Sequence, residues 1–195
     1  MTPHGDVLAL AVHRREEGAF EQLVGQFERQ LFNYVYRLIQ NVHDAQEVVQ
    51  DTFLRAHRAL TRQYDEPKCS ALLVRPWLYR IARNLARNKR RGLRGHVEQP
   101  LPAEEHAGFK PVVRPPALLC AIETREELER LDRALATLPV EARELVFLRF
   151  IEEMSYAEIA KTTGMGEAVL RGKVFRSLRQ LRDTLAVPKE TAHAM

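Results

Sequence analysis

Apolar residues recur along most of this chain at spacings of three and four, which is typical of amphipathic helices. The first such stretch predicts a helix that runs to about residue 40, with one apolar face made of Phe20, Leu23, Val24, Phe27, Leu31, Val35 and Leu38. In a second stretch, Asp44 is a predicted N-cap because Glu47 follows three residues later, as in a capping box. The same spacing then continues through Val48, Val49, Phe53, Ala56 and Leu60. A second helix is therefore predicted over about 44–61.

A third helix is predicted after an irregular segment. Residues 61–75 lack periodicity and contain Asp65, Pro67 and Ser70, so we expect a loop there. Pro76 fits the first turn of a helix, where its missing N–H costs nothing. The apolar stripe that follows is expected to be buried and consists of Trp77, Leu78, Ile81, Ala82 and Leu85. Arg80, Asn84, Arg87 and Arg91 recur on a different, cationic face.

The chain changes character at residues 95–118, which hold five prolines and no periodicity. Such a segment favours an extended linker over a packed element, so two domains are predicted. Beyond it we expect helices over about 118–135 and 140–150, one beginning after Ser155 and one from near Gly166 to about Leu185. No useful length of strand-like alternation occurs. The predicted fold class is all-α, with two small helical domains joined by a Pro-rich extended linker.

The last two predicted helices have the pattern of a helix-turn-helix. Ser155 and Glu158 form a capping box, and Gly164 suits the turn after the first helix. The second helix is expected to bury Leu170, Val174, Leu178, Leu181 and Leu185 and to present Arg171, Arg176, Arg179 and Arg182 on its other face. In such a motif the start of the second helix enters the major groove of DNA. A short antiparallel helix pair with a solvated cationic face is the alternative.

Charge is distributed unevenly and strengthens the case for a nucleic-acid partner. The net charge of +4 combines a net of +8 in residues 71–95 and +3 in residues 154–195 with acidic segments elsewhere. Residues 75–94 hold eight Lys or Arg, no Asp or Glu, and the single Trp. Basic segments suit phosphate contacts, whereas an ordinary solvated helix alternates its charges. A charged surface that binds nothing in particular is the alternative.

Aromatic residues near the basic helix divide into two predicted roles. Trp77 lies on the side of Leu78 and Ile81, so we expect it in the core. Tyr79 and the loop residues 64–73 are better placed to touch unstacked bases.

Several classes of protein are disfavoured. Cys69 and Cys120 are 51 residues apart without metal-ligand spacing, so neither a metal site nor a disulfide framework is expected. No catalytic triad order, phosphate-binding glycine loop or paired-carboxylate arrangement occurs, so we expect neither an enzyme nor a cofactor. No run of 18 apolar residues and no signal-peptide pattern occurs, and the expected location is the cytoplasm.

Three segments together resemble one family. They are the run from Asp44 to Leu54, the run from Trp77 to Asn84, and the region from Leu138-Pro139 through Glu158-Ile159-Ala160 to Arg176. In this order, across a Pro-rich linker, they resemble RNA polymerase sigma factors of the extracytoplasmic-function group. The resemblance implies a region 2 domain over 18–94, a linker over 95–118 and a region 4 domain over 119–187. Residues 1–17 and 188–195 are then an N-terminal extension and a tail.

The resemblance also implies site residues and partners. The implied partner is core RNA polymerase, with its β′ and β subunits. The helix over 44–58 would dock on the clamp helices of the largest subunit through Asp44, Glu47, Gln50, Asp51 and Phe53. The basic helix would bind the −10 promoter element through Arg80, Arg83, Asn84, Arg87, Asn88 and Arg91. The helix-turn-helix would bind the −35 element through Arg171, Gly172, Lys173, Phe175, Arg176 and Arg179. An anti-sigma factor is a further implied partner, and the protein would assist promoter opening.

The recognition helix departs from the family pattern. A Gly-Thr-Val-Lys-Ser-Arg-like run usually opens this helix, and this chain instead has Ala168-Val169-Leu170-Arg171-Gly172-Lys173. The hydroxyl groups that would contact phosphates are therefore missing.

Two other functions are alternatives to a sigma factor. One is a helix-turn-helix regulator that binds duplex DNA alone, and the other is an adaptor whose basic helices bind acidic proteins.

Overall fold

The computed structural model describes residues 4–95 and 125–186, in which all regular structure is helical. This confirms the prediction of an all-α fold. The helices are α1 (His4–His13), α2 (Ala19–Ile39), α3 (Val42–Arg58), α4 (Glu66–Ser70), α5 (Val74–Gly95), α6 (Arg125–Thr137), α7 (Val140–Phe150), α8 (Tyr156–Thr163) and α9 (Glu167–Ala186). Contacts divide the chain into two units, one built on α1–α5 and one on α6–α9.

The first unit is organised around α2, α3 and α5, which pack against one another. Helix α2 contributes the buried residues Leu23, Phe27 and Leu31, and its predicted start and end are confirmed to within a residue or two. Helix α5 contributes Leu78 and Ala82, which are inaccessible to solvent. The shared core holds α5 along its whole buried face and leaves its other face to solvent.

Helix α1 lies within the predicted N-terminal extension and packs on the first unit. Leu8, Ala9 and Val12 are buried, and Nδ1 of His13 lies 2.8 Å from the carbonyl oxygen of Leu60. Helix α1 therefore belongs to the hydrophobic core of this unit.

The start of α3 differs from the prediction. The N-cap is Asn41, whose side-chain oxygen accepts a hydrogen bond from the backbone N–H of Asp44 at 3.1 Å. Asp44 is thus in the first turn of the helix, where a carboxylate is favoured by the helix dipole. The prediction of Asp44 as N-cap was wrong. Asn41, three residues earlier, is also a favourable capping residue, and the helix begins there instead.

The segment between α3 and α5 is more ordered than the predicted loop over 61–75. Helix α3 passes directly into a π-helical turn, Ala59–Gln63, closed by a bond from the N–H of Tyr64 to the carbonyl of Ala59 at 3.0 Å. The short helix α4 follows, capped by Asp65, which accepts from the N–H of Lys68 at 3.0 Å. Helix α5 then begins two residues before Pro76. The prediction of an irregular loop was therefore wrong for most of this segment.

The second unit confirms the predicted helix-turn-helix. Ser155 caps α8, and the reciprocal bonds of the capping box with Glu158 are both present. Gly164 ends α8 with a φ of 78°, a left-handed conformation that favours glycine. Helices α6, α7 and α9 share a core made of Ala134, Leu138, Val146 and Leu181, with Leu135, Ala142, Phe150 and Leu185 packed against it.

Some predictions fall on residues outside the described ranges. These are the linker over 96–118, the first part of the helix predicted from residue 118, Cys120 and the tail over 188–195. The domain boundaries at 18–94 and 119–187 stay predictions.

Candidate nucleic-acid and protein interfaces

Helix α5 presents a cationic surface. Val74–Gly95 contains no acidic residue, so no charge within the helix compensates its arginines. Five of the six residues predicted to meet the −10 element are exposed, namely Arg80, Asn84, Arg87, Asn88 and Arg91, whereas Arg83 is buried. The exposed guanidinium groups lie one to three turns apart along one side of the helix, a spacing that suits a nucleic-acid backbone.

Tyr79 lies in the core, contrary to the prediction that it touches bases. Its side chain is fully buried, and its ring centroid lies 5.0 Å from that of Tyr34. Position 79 shares a helix face with Ala82 and Ala86, which are also buried. The prediction was wrong because Tyr79 belongs to the apolar stripe, where its ring fills space between α2 and α5.

Aromatic rings do reach the surface just before α5. The rings of Tyr64 and Trp77 are half-buried, with centroids 5.8 Å apart and a tilt of 49°. The ammonium group of Lys68 lies 3.7 Å from the centroid of the Tyr64 ring, within cation–π distance. A cation and two aromatic rings therefore form an amphipathic surface next to the basic helix. Trp77, expected in the core, is only partly enclosed.

The five residues predicted to dock on polymerase have different environments. Nζ of Lys89 on α5 lies 2.6 Å from a carboxylate oxygen of Glu47 and 3.2 Å from one of Asp44. Hydrogen bonds to Glu47 and then Asp44 raise the pKa of Lys89. Gln50 and Asp51 are exposed. Asp44 and Glu47 thus join α3 to α5, while Gln50 and Asp51, about one turn later, face solvent.

Phe53 and Leu54 are adjacent but point in opposite directions. Phe53 is 6% exposed and contacts the edge of Phe20, with ring centroids 6.5 Å apart. Leu54 is 51% exposed and lies one turn after Gln50 and Asp51. Phe53 therefore supports the fold, and Leu54 is an exposed apolar residue on the same face of α3 as Gln50 and Asp51. Sequence reasoning missed Leu54, although its place three residues after Asp51 puts it on the polar face.

Helix α9 carries the residues predicted to meet the −35 element. Two of its cations have internal partners, since Arg171 bonds to Glu167 at 3.1 Å and Lys173 bonds to Glu141 at 3.0 Å. The Arg171 guanidinium also lies 4.7 Å from the centroid of the Tyr156 ring on α8. The remaining predicted residues are the exposed Phe175, Arg176 and Arg179 and the half-buried Gly172.

Other chemistry finds little support in the described part of the chain. No group of three or more His, Cys, Asp or Glu side chains there is arranged to hold a metal ion. None of the described helices is long and apolar enough to cross a membrane. Cys69 on α4 is fully buried, and burial, followed by the nearby Asp65 carboxylate, raises the pKa of its thiol. A thiol in such a place is a poor nucleophile.

Comparison with known proteins identifies the family. Family models for Sigma-70 region 2 and Sigma-70, region 4 match residues 23–95 and 128–181. The chain is 33% identical over 168 residues to the ECF RNA polymerase sigma factor SigE of Mycolicibacterium smegmatis, a match that covers 86% of this chain and 62% of that protein. It is 29% identical over 178 residues to the ECF RNA polymerase sigma-E factor of Escherichia coli K12, covering 88% of each. Among solved structures, CnrH in complex with the cytosolic domain of CnrY matches with a TM-score of 0.65 and 26% identity, over 93% of this chain and 96% of that one.

The chain belongs to the sigma-70 family, within the extracytoplasmic-function (ECF) group of RNA polymerase sigma factors. The resemblance carried by its three sequence segments is thereby confirmed. Sigma factors are initiation factors without catalytic activity of their own, which agrees with the expectation that this chain is not an enzyme.

Proposed function

We propose that this protein binds core RNA polymerase in the cytoplasm, directs it to specific promoters through the −10 and −35 elements, and assists promoter opening. The observation that carries the proposal is the separation of two exposed basic helices, α5 and α9, into the two regions matched by the sigma-70 models. Helix α3 adds a third surface whose acidic and amide side chains suit a protein partner better than DNA.

Docking on core polymerase is assigned to the exposed face of α3. Gln50 and Asp51 supply polar contacts there, and Leu54 supplies an apolar group that loses water on binding. Asp44 and Glu47 contribute indirectly, because their ion pairs with Lys89 hold α3 against α5. Phe53 stays in the core and is left out of the docking face.

Binding of the −10 element is assigned to α5. Arg80, Arg87 and Arg91 are exposed cations that suit phosphates, and Asn84 and Asn88 are exposed amides that suit base edges. The half-buried rings of Tyr64 and Trp77 would stack on a base drawn out of the non-template strand. Stacking on aromatic rings stabilises an unpaired base by about 1–3 kcal/mol, which offsets part of the cost of opening the duplex.

Binding of the −35 element is assigned to the start of α9, following the usual docking of a helix-turn-helix. Arg176 and Arg179 have no ion pair within the described residues and are exposed. They suit phosphate or guanine contacts, while Arg171 and Lys173 must exchange their bonds to Glu167 and Glu141 for contacts to DNA.

An anti-sigma factor is the further partner that we propose. The related CnrH was solved in complex with the cytosolic domain of another protein, CnrY. A partner that covers the α3 face around Leu54 would keep this chain away from polymerase, since the same exposed apolar group would then be buried.

Gel filtration with purified core polymerase tests the proposal. We expect the full chain to elute with core polymerase, and a Leu54→Ala, Asp51→Ala double variant to bind it more weakly. Fluorescence anisotropy with promoter DNA separates the main alternative, a regulator that binds duplex DNA alone. Weak binding by the free chain and strong, promoter-specific binding by the complex are expected. Tight specific binding without polymerase, together with no co-elution, would support the alternative and overturn the proposal.

A further inference from the structure

The first three turns of α9 carry exposed apolar side chains where charged or hydroxyl groups are the usual means of contacting DNA. Val169 is 53% exposed and Phe175 is 69% exposed. Scattered surface apolar residues need no explanation, but these two lie on the helix that the proposed function aims at the major groove. Their exposure therefore bears on what this helix contacts.

Gly172 lies between these two side chains and leaves a gap. It is three residues after Val169 and three before Phe175, so the three positions are neighbours on the helix surface. A Cβ added at Gly172 would meet nothing within 4 Å, so no packing within the described structure requires a glycine here. A helix-interior glycine lowers helix stability by about 0.5–1 kcal/mol relative to alanine. The glycine thus costs stability and creates an open notch with apolar walls.

The two cations next to these apolar side chains are already engaged by other residues of the protein. Arg171 is bonded to Glu167 and lies over the ring of Tyr156, and Lys173 is bonded to Glu141. The cations without an ion pair in the described part of α9 begin at Arg176. Among the large exposed side chains of α9 before Arg176, those without an ion pair in the described structure, Val169 and Phe175, are therefore apolar, and the unpaired cations follow from Arg176.

We propose that Val169, Gly172 and Phe175 form a recognition surface for the 5-methyl groups of thymine in the −35 element. In the major groove, thymine is the base that presents a methyl group, and apolar side chains are the groups that recognise it. The notch at Gly172 lets the helix backbone approach the base edge, while Val169 and Phe175 exclude water around the methyl. This inference rests on the proposed function and adds the class of base that α9 reads.

The test uses the complex of the full chain with core polymerase. Promoters with a randomised −35 region are first selected by binding, and each selected thymine is then replaced with deoxyuridine, which lacks only the methyl group. We expect the selected promoters to share a thymine at one or more positions of the −35 element. Its replacement should weaken binding about fourfold, the factor that corresponds to one buried methylene-sized group.

Variants assign that effect to the surface. Val169→Ala and Phe175→Ala remove exposed side chains, so the fold is retained, and they should bind the thymine and deoxyuridine promoters almost equally. Val140→Ala, an exposed apolar residue of α7, is the matched control and should keep the discrimination. Gly172→Ala should weaken binding to the thymine promoter without lowering the melting temperature.

Four outcomes would contradict the inference. A selected −35 element without thymine, or discrimination retained by both alanine variants, overturns it while the proposed function stands. Loss of assembly with core polymerase by the Val169 and Phe175 variants assigns the patch to a protein interface and also overturns it. Failure of the wild-type complex to select any promoter overturns the proposed function and this inference together.

Discussion

Nζ of Lys89 lies 2.6 Å from a carboxylate oxygen of Glu47, which joins the proposed DNA-binding helix α5 to the proposed docking helix α3. The same ammonium lies 3.2 Å from Asp44, so one lysine serves two carboxylates 42 and 45 positions away in the sequence. The two helices proposed to contact polymerase and DNA are thus linked by ion pairs as well as by their shared core.

Replacement of Lys89 with Met should lower the melting temperature slightly, because the ion pairs are partly exposed and screened by solvent. The loss should shrink as salt is added. Urea or thermal unfolding of the single variants and of Lys89→Met combined with Glu47→Gln measures the coupling. Strictly additive effects would show that the pair contributes nothing.

The contribution of Lys89 should depend on pH in one direction. Its pKa is raised in the folded state, so folding favours the protonated lysine, and the stabilisation is complete below the ordinary value of 10.5. It should be lost as the pH rises through the raised pKa. Melting temperatures of wild type and Lys89→Met should therefore differ at neutral pH and converge in strong alkali. A difference that grows with alkaline pH would contradict this.

Phe53 and Leu54 give a matched pair of neighbouring substitutions. Phe53→Ala should destabilise the first unit by about 3–5 kcal/mol, because it leaves a cavity beside Phe20. Leu54→Ala should change stability by less than about 0.5 kcal/mol, since the side chain is exposed, and should weaken binding to core polymerase. Denaturation and gel filtration of both variants separate the two roles. A folded Leu54→Ala variant that binds polymerase like wild type would remove Leu54 from the docking face.

Tyr64→Ala should slow promoter opening without preventing promoter binding. The loss follows from removal of a ring that would stack on the extruded base beside Lys68 and Trp77. Permanganate reactivity of unpaired thymines measures opening on duplex promoters. A promoter with a pre-opened −10 bubble is the control, and the variant should initiate from it at a rate closer to that of wild type. An equal defect on both templates would argue against a role in opening.

Ser155→Ala should destabilise α8 by about 1 kcal/mol, because it removes the N-cap and breaks the capping box with Glu158. Hydrogen exchange of the α8 amides should become faster, while exchange in α2 and α3 should not change. Ser155→Thr, which keeps the hydroxyl group, should restore most of the protection. Unchanged exchange in the alanine variant would mean that tertiary packing alone holds this helix.

Sequence periodicity predicted α2, α8 and α9 well because each carries a regular apolar face and, in α8, strong caps at both ends. The bounds of α7 were also predicted, although its buried residues are consecutive, from Glu144 to Leu148. Helix α1 was missed because ten residues are few and its apolar positions run without interruption over residues 7–12. Helix α4 was missed because five residues are too short to show a period.

Side-chain roles were harder to predict than helices. Tyr79 and Trp77 are two positions apart, and which of the two is fully buried depends on how α5 rotates against α2. The bonds from Lys89 to Asp44 and Glu47 join distant parts of the chain, so local pattern gives no sign of them. The exposed cations of α5 were predictable because no acidic residue lies near them in the sequence.

Run-off transcription with core polymerase on a promoter library tests the central claim most directly. The wild-type chain should start transcription at a defined set of promoters. Arg87→Ala should lose initiation that depends on the −10 element, and Arg176→Ala should lose recruitment that depends on the −35 element. Arg62→Ala and Arg133→Ala, exposed arginines outside α5 and α9, are the controls and should behave like wild type. No promoter-specific transcript with the wild-type chain, or unchanged promoter selection by both the Arg87 and Arg176 variants, would contradict the account.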